Sequence, residues 1–374
     1  MTFTILHTDK NTQARIGSLK TKSGTIQTPF FMPVATKAAL KFIDTKQLEA
    51  LGAQATISNA LILSLRPGTK LIKKMGGIKK FMNFSGINFT DSGGFQMYSP
   101  SIYLSSDNNG VWFKNPLSGE KIFMTPKDNM KIQNDINSDV AMTLDAMPLY
   151  NHSKEEIKIA VEKTSLWAKK CKEVHNKLQE KIPKNKRQLL FGITQGGKYK
   201  DLRTSSIKNH LALNFDGYSI GGFGLGETKK EEQEIIKLHK QLLPKNKPMY
   251  LMGIGDPLEI LQAIALGCDC FDSRLPTQNA RRGTIFTSGG KIKLLNKKYQ
   301  NDQKSLDKNC DCFVCKNYSR AYLRFLLKEN EPTGKQLASY HNLYYLQTVI
   351  TQAKEAIKKN KLKALIKKMQ KVYE

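Results

Sequence analysis

Eight short apolar or β-branched runs ending in Gly, Asp or Asn, with helical stretches between several of them, predict an α/β chain folded as a (β/α)8 TIM barrel. A knot of cysteines near the C-terminus predicts an inserted zinc-binding subdomain. The runs are Thr28–Val34, Ala53–Ala60, Asn88–Phe95, Asp139–Met147, Leu189–Gly197, Asp216–Gly222, Met249–Gly255 and Cys268–Leu275. Helix starts fall between them: Ser153 with Glu156 and Thr228 with Glu231 read as capping boxes, and Asp256-Pro257 as an N-cap and first helical position. A doubly wound open sheet would show the same alternation. It would gather its polar loops at one switch point, whereas here many strand ends carry polar or Gly-rich loops. The expected division is a barrel domain over 1–296, a zinc-binding insert over 297–350 and a helix over 351–374 that closes the barrel.

The 374 residues are 40% apolar, enough for a large core, and no shift in composition divides them. Sixty Lys and Arg against thirty-two Asp and Glu leave a formal charge of +28, which favours polyanionic partners. A general lysine bias on solvated helix faces, such as Lys354–Lys371, accounts for part of that excess. The first residues hold no apolar core of signal-peptide length, and nowhere do eighteen apolar residues run together, so neither export nor a membrane span is expected. Closely spaced cysteines suit a reducing, cytosolic compartment.

Two strand ends carry carboxylates on Gly-rich or basic loops. Asp272 closes the run Cys268–Phe271 and is followed by Arg274, Arg281 and Arg282, a nucleophile beside a phosphate grip; Pro, Asn and Gly make this stretch read as a loop. An isolated Asp at a strand end is ordinarily a cap. What lifts this one above that reading is a second segment of the same design, Thr90-Asp91-Ser92-Gly93-Gly94-Phe95-Gln96. Two such carboxylates facing one pocket are what substitution at a glycosidic carbon uses.

Cys310, Cys312, Cys315 and His341 form a Cys-x-Cys-x2-Cys-x25-His set, three thiolates and an imidazole that complete a closed tetrahedral shell for a structural Zn(2+). Cys171, Cys268 and Cys270 lack such company and read as packed thiols.

With these motifs in hand, the chain resembles the bacterial-type tRNA-guanine transglycosylases over nearly its full length. Further matching segments are Phe30-Phe31-Met32-Pro33-Val34, Leu65-Arg66-Pro67, Gly192-Ile193-Thr194-Gln195-Gly196-Gly197, Tyr250-Leu251-Met252-Gly253 and Pro276-Thr277. The resemblance implies a cytoplasmic homodimeric enzyme that exchanges guanine at the wobble position of certain tRNAs for a 7-deazaguanine. It implies Asp272 as nucleophile and Asp91 as general acid/base. It assigns base recognition to Ser92, Asp145, Gln195 and the backbone of Gly222, with Phe95 and Met252 sandwiching the ring. Arg274, Gln278, Arg281 and Arg282 would bind RNA, and Tyr318, Tyr322 and Phe325 lie where the family forms its dimer contact.

The chain departs from the family in places. Asn59-Ala60-Leu61-Ile62 stands where Asn-Thr-Tyr-His is usual, Ala146-Met147-Pro148 follows Asp145 where Glu-Cys-Thr-Pro is usual, and Gln278 replaces an Arg. Phe223 and Leu225 fill positions of smaller residues. With Met147, Leu225 narrows the wall around the seven-substituent, which favours 7-aminomethyl-7-deazaguanine over bulky queuine; Glu227 would polarise the loop carbonyl that meets the aminomethyl group. A non-catalytic tRNA-binding subunit is the alternative, opposed by retention of both aspartates. A zinc hydrolase would need His and carboxylate ligands at strand ends, where the six His do not fall.

Overall fold

A computed structural model describes residues 2–148, 151–222 and 226–374. Among them, eight parallel strands form one sheet, numbered here in chain order: β1 (Phe30–Pro33), β2 (Ala55–Asn59), β3 (Ile87–Asp91), β4 (Val140–Met142), β5 (Leu189–Thr194), β6 (Gly217–Ile220), β7 (Met249–Leu251) and β8 (Cys270–Ser273). From β2 onward each strand pairs with the next, and β8 pairs with β1. The circle closes just past β1, where Val34 bridges Ile57 and the Ala35 N–H donates to the Ile57 carbonyl at 2.7 Å. Each predicted run overlaps one strand of this sheet. All three predicted helix starts are present, with Ser153, Thr228 and Asp256 side chains accepting from first-turn N–H groups.

Strands of a barrel are covered on both faces, so these are buried almost throughout and only parity tells inside from outside. Inward residues include Met32, Ile57, Phe89, Met142, Phe191, Ile193, Tyr250 and Cys270, which pack into one cluster filling the barrel. Phe89 lies at its centre, with ring centroids of Phe30, Phe191 and Tyr250 at 6.0, 5.7 and 6.3 Å. Phe3, Leu19 and Ile26 join the same cluster from an N-terminal antiparallel sheet of Phe3–Thr8, Arg15–Thr21 and Gly24–Thr28. That sheet is tied on by a buried ion pair of Arg15 with Asp269 at 2.6 Å, and Asp269 also accepts from the Met249 N–H.

The long helix Pro332–Lys358 packs against the core outside β1, and its Gln347 side chain donates to the Phe31 carbonyl at 3.3 Å. It runs unbroken through position 350, so residues on both sides of the expected insert boundary share one helix. A second three-stranded antiparallel sheet, Tyr103–Ser106, Val111–Lys114 and Lys121–Met124, is inserted after β3.

Candidate active site

Extending the inward parity of the strands one step beyond the apolar layer gives Asn59 on β2, Asp91 on β3, Gln195 after β5, Met252 after β7 and Asp272 on β8. The polar mouth is therefore the next layer of the barrel's own packing, at the strand C-termini where this fold carries its chemistry.

Asp272 Oδ1 accepts from the Tyr250 hydroxyl at 2.6 Å and from the Gly253 N–H at 3.0 Å. Burial raises its pKa, and these two donors oppose the rise by stabilising the anion. Asp91 Oδ1 accepts from the Gly93 N–H at 2.9 Å and its Oδ2 from Asn59 Nδ2 at 3.4 Å. Its carboxyl is pushed up to about 8 by burial first and by the charge of Asp272 second, with Asp145 adding to both. Both causes favour the protonated form of Asp91 at neutral pH. Asp272 has the shorter pair of donors, both on Oδ1.

Asp145 follows β4. Its Oδ2 accepts from Gln195 Nε2 at 2.7 Å and its Oδ1 from the Ser92 hydroxyl at 3.4 Å. Burial pushes it up to about 6 against those two donors. Gln195 is fully buried, and its Oε1 has no partner within the protein. Gly222 lies directly on that oxygen: its φ is +67°, and a Cβ there would stand 2.6 Å from Gln195 Oε1. Gly94 is held likewise, since a Cβ would meet Asp145 Oδ1 at 2.5 Å. Ser92, Asp145, Gln195 and Gly222 thus form one polar wall. Phe95, 52% exposed, follows Gly94 in the chain, and Met252, half-buried, follows β7 and packs on the cluster that fills the barrel.

The stretch after Asp272 corrects the sequence reading of a loop. Leu275–Arg281 is a short helix, because Pro276 falls in the first turn, where a missing N–H costs nothing, and Gly283 at φ +76° ends it. Arg274 is its N-cap residue and Arg281 its last. Arg274 and Arg282 are exposed, while Arg281 is partly covered and keeps one buried Nη1 without a partner. With its amide turned so that oxygen faces the guanidinium, Gln278 accepts from both Nη atoms of Arg282 at 3.3 Å.

Cys310, Cys312 and Cys315 Sγ lie 3.8, 3.5 and 3.3 Å from His341 Nδ1, and all four ligand atoms fall within 4.8 Å of one another. Bonds of about 2.3 Å to sulfur and about 2.0 Å to nitrogen give edges of this length around a tetrahedral ion, so the residues fit the metal. His341 Nε2 is 2.8 Å from the Phe286 carbonyl; donating there leaves Nδ1 as the ligand atom. The next residue, Asn342, donates to the Pro276 and Thr284 carbonyls and accepts from the Phe286 N–H. The metal cluster is therefore joined to the arginine helix through one buried amide. Among the described residues this is the one such group of potential ligands, and none of its members ends a barrel strand. Cys171, Cys268 and Cys270 are buried free thiols, as expected.

Sequence reasoning gave no role to Asn59 or Tyr250, which hold the two carboxylates, nor to Arg203. This fully buried side chain donates to the carbonyls of Gly197, Gly221 and Gly222 and so fixes the loops on either side of Gln195. Phe223 and Leu225 lie outside the described residues.

The family model for queuine tRNA-ribosyltransferase matches residues 9–374. A protein of Lysinibacillus sphaericus named queuine tRNA-ribosyltransferase is 43% identical over 360 residues, 96% of this chain and 93% of that one. Its namesake in Bacillus subtilis is 43% identical over 353 residues, 94% of this chain and 91% of its own. Matches of that extent leave no part of the barrel or the metal cluster unaccounted for, and the chain belongs to the queuine tRNA-ribosyltransferase family.

Proposed function

We propose that this protein is a tRNA-guanine transglycosylase, a pentosyltransferase of queuosine synthesis, that exchanges the wobble guanine through a covalent Asp272–ribose intermediate. The observation that carries the proposal is the division of labour between the two facing carboxylates. Burial and the Asp272 charge favour a proton on Asp91, while Asp272 has the shorter pair of donors to stabilise its charge. Asp272 attacks C1′ of the target guanosine and the C1′–N9 bond breaks, its electron pair leaving on guanine, which takes the Asp91 proton. The incoming base then gives its N9 proton to the Asp91 carboxylate and attacks C1′, and Asp272 departs as the free carboxylate. No phosphodiester bond opens, so the strand stays intact.

The guanine edge pairs with Asp145 through its ring N–H and amino group, while Gln195 and the Gly222 N–H serve the carbonyl. Ser92 steadies Asp145, and Phe95 and Met252 enclose the ring faces of a flipped base. Arg274, Arg281 and Arg282 meet the flanking phosphates, with Gln278 a neutral member of the group. The Cys3His cluster holds Zn(2+) as a structural ion, and no helix among the described residues is long and apolar enough to cross a membrane. The cytoplasm is the compartment proposed. Exposed Tyr322 and Phe325, beside the stacked Tyr318, suit a homodimer contact, which sedimentation at micromolar concentration tests. Buried Met147 supports a small incoming base, 7-aminomethyl-7-deazaguanine; equal use of queuine in competition would remove that preference.

Incubation with unmodified tRNA and labelled guanine tests the activity directly. Label should enter tRNA and stay at one position. An intact tRNA without label would leave the alternative, a tRNA-binding subunit.

A further inference from the structure

The sheet inserted after β3 has a face that the proposed chemistry does not use. Val111, Phe113 and Met124 turn into the core and are buried. Strand alternation then sends Trp112, Lys114, Lys121 and Phe123 to the other face. The register sets Trp112 across from Phe123 and Lys114 across from Lys121. The two aromatic rings stack with centroids 4.7 Å apart and planes 29° apart, yet Trp112 remains 40% exposed. Both lysines are exposed, and neither joins an ion pair among the described residues. Like charges opposed across two strands repel, and an uncovered indole leaves apolar surface in water. A ligand with flat rings and negative charge relieves both at once.

The sheet hangs from the catalytic segment. Tyr103 begins it twelve residues after Asp91, and the Tyr98 ring, just past the helix Gly94–Met97, stacks on Tyr103 at 4.9 Å. The platform therefore leaves the barrel at the end where Asp91 and Asp272 stand. We propose that it stacks an unpaired base of the RNA bound at that mouth, with Lys114 and Lys121 meeting the adjoining phosphates. Drawing one nucleotide out of its stack strips its neighbours of partners, and an aromatic face edged with cations receives such bases without regard to sequence. Identifying the RNA as tRNA rests on the transglycosylase assignment; the stacking face does not.

Trp112 and Trp167 are the two tryptophans of the chain, and Trp167 is fully buried, so an RNA-dependent change in indole emission reports on Trp112. Unmodified tRNA should quench that emission in the wild type and not in Trp112→Phe. Polyphosphate, an anion without bases, should displace tRNA without quenching. Trp112→Ala should raise KM for tRNA by about tenfold, the effect of one lost base stack, leaving kcat and KM for guanine unchanged, while Trp112→Phe stays near wild type. Lys114→Ala and Lys121→Ala should each lower the salt slope of tRNA binding by about one. Quenching without guanine exchange would sink the transglycosylase assignment and support the stacking face. Absence of quenching, or a wild-type KM for tRNA in Trp112→Ala, overturns the proposal, and a face occupied by a protein would give that result.

Discussion

Replacing Asp91 by asparagine keeps the side chain's shape and removes its acid, and the effect depends on pH in a direction the site dictates. Burial and the neighbouring charges of Asp272 and Asp145 push this carboxyl from an ordinary 3.8 up to about 8. Unfolded, it titrates near 3.9. From roughly pH 4 to pH 8 the folded state thus keeps a proton that the unfolded state has released, and the stability contributed by Asp91 is full below pH 4 and lost as pH rises through about 8. At pH 6 about two units of that interval remain, and at about 1.4 kcal/mol per unit they set a ceiling of about 2.7 kcal/mol. The carboxyl sits at a solvent-accessible mouth, where screening leaves roughly 1–2 kcal/mol. Asparagine titrates in neither state, so Asp91→Asn should gain about 1–2 kcal/mol on the wild type between pH 6 and pH 9. Urea unfolding of both proteins at the two pH values measures it. An equal offset at both pH values would refute a protonated Asp91 at neutrality. The same variant should lose about 10²- to 10⁴-fold in base exchange, because an amide cannot pass the proton.

Tyr250→Phe removes the hydroxyl 2.6 Å from Asp272, so the Asp272 pKa should rise further and the acid limb of exchange move to higher pH. A lost bond to a charged acceptor is worth about 1.5–3 kcal/mol, roughly ten- to hundredfold in rate at neutral pH, and an unmoved acid limb would contradict it. Cys312→Ala should release the metal and lower the melting temperature, since a closed shell contributes folding energy; one equivalent of zinc in the purified variant would exclude this role. Arg281→Ala should reduce the salt slope of tRNA binding by about one, and an unchanged slope would show that Arg281 meets no phosphate.

What the sequence revealed and what it hid follow from local against long-range physics. Asp91 and Asp272 were legible because each terminates an apolar run on a Gly-rich or basic segment, and the metal ligands because their spacing is itself the signal. Asn59 and Tyr250 were not, since their contacts with Asp91 and Asp272 join different strands and depend on register. Tyr250 did carry a signal: it stands one inward step below Met252. Leu275–Arg281 reads as a loop because Pro276 and Gly283 look like loop residues until their positions at the helix ends are known. The inserted sheet is hard to read from sequence although Asp107-Asn108-Asn109-Gly110 is a turn signal; four-residue strands give too little alternation to register. The separation of Asp91 from Asp272 in acidity depends on burial and donors that no local pattern encodes.

Bond formation between Asp272 and ribose is the step on which the proposed exchange depends. It is tested most directly by mixing the protein with unmodified tRNA in the absence of an incoming base, denaturing rapidly and resolving the products on a denaturing gel. Wild-type protein should yield an RNA–protein band that guanine chases back to full-length tRNA. Asp272→Asn should bind tRNA, through its remaining cationic contacts, and give no such band. An adduct formed by Asp272→Asn, or a cleaved RNA strand with the wild type, would contradict the assignment of Asp272 as the nucleophile.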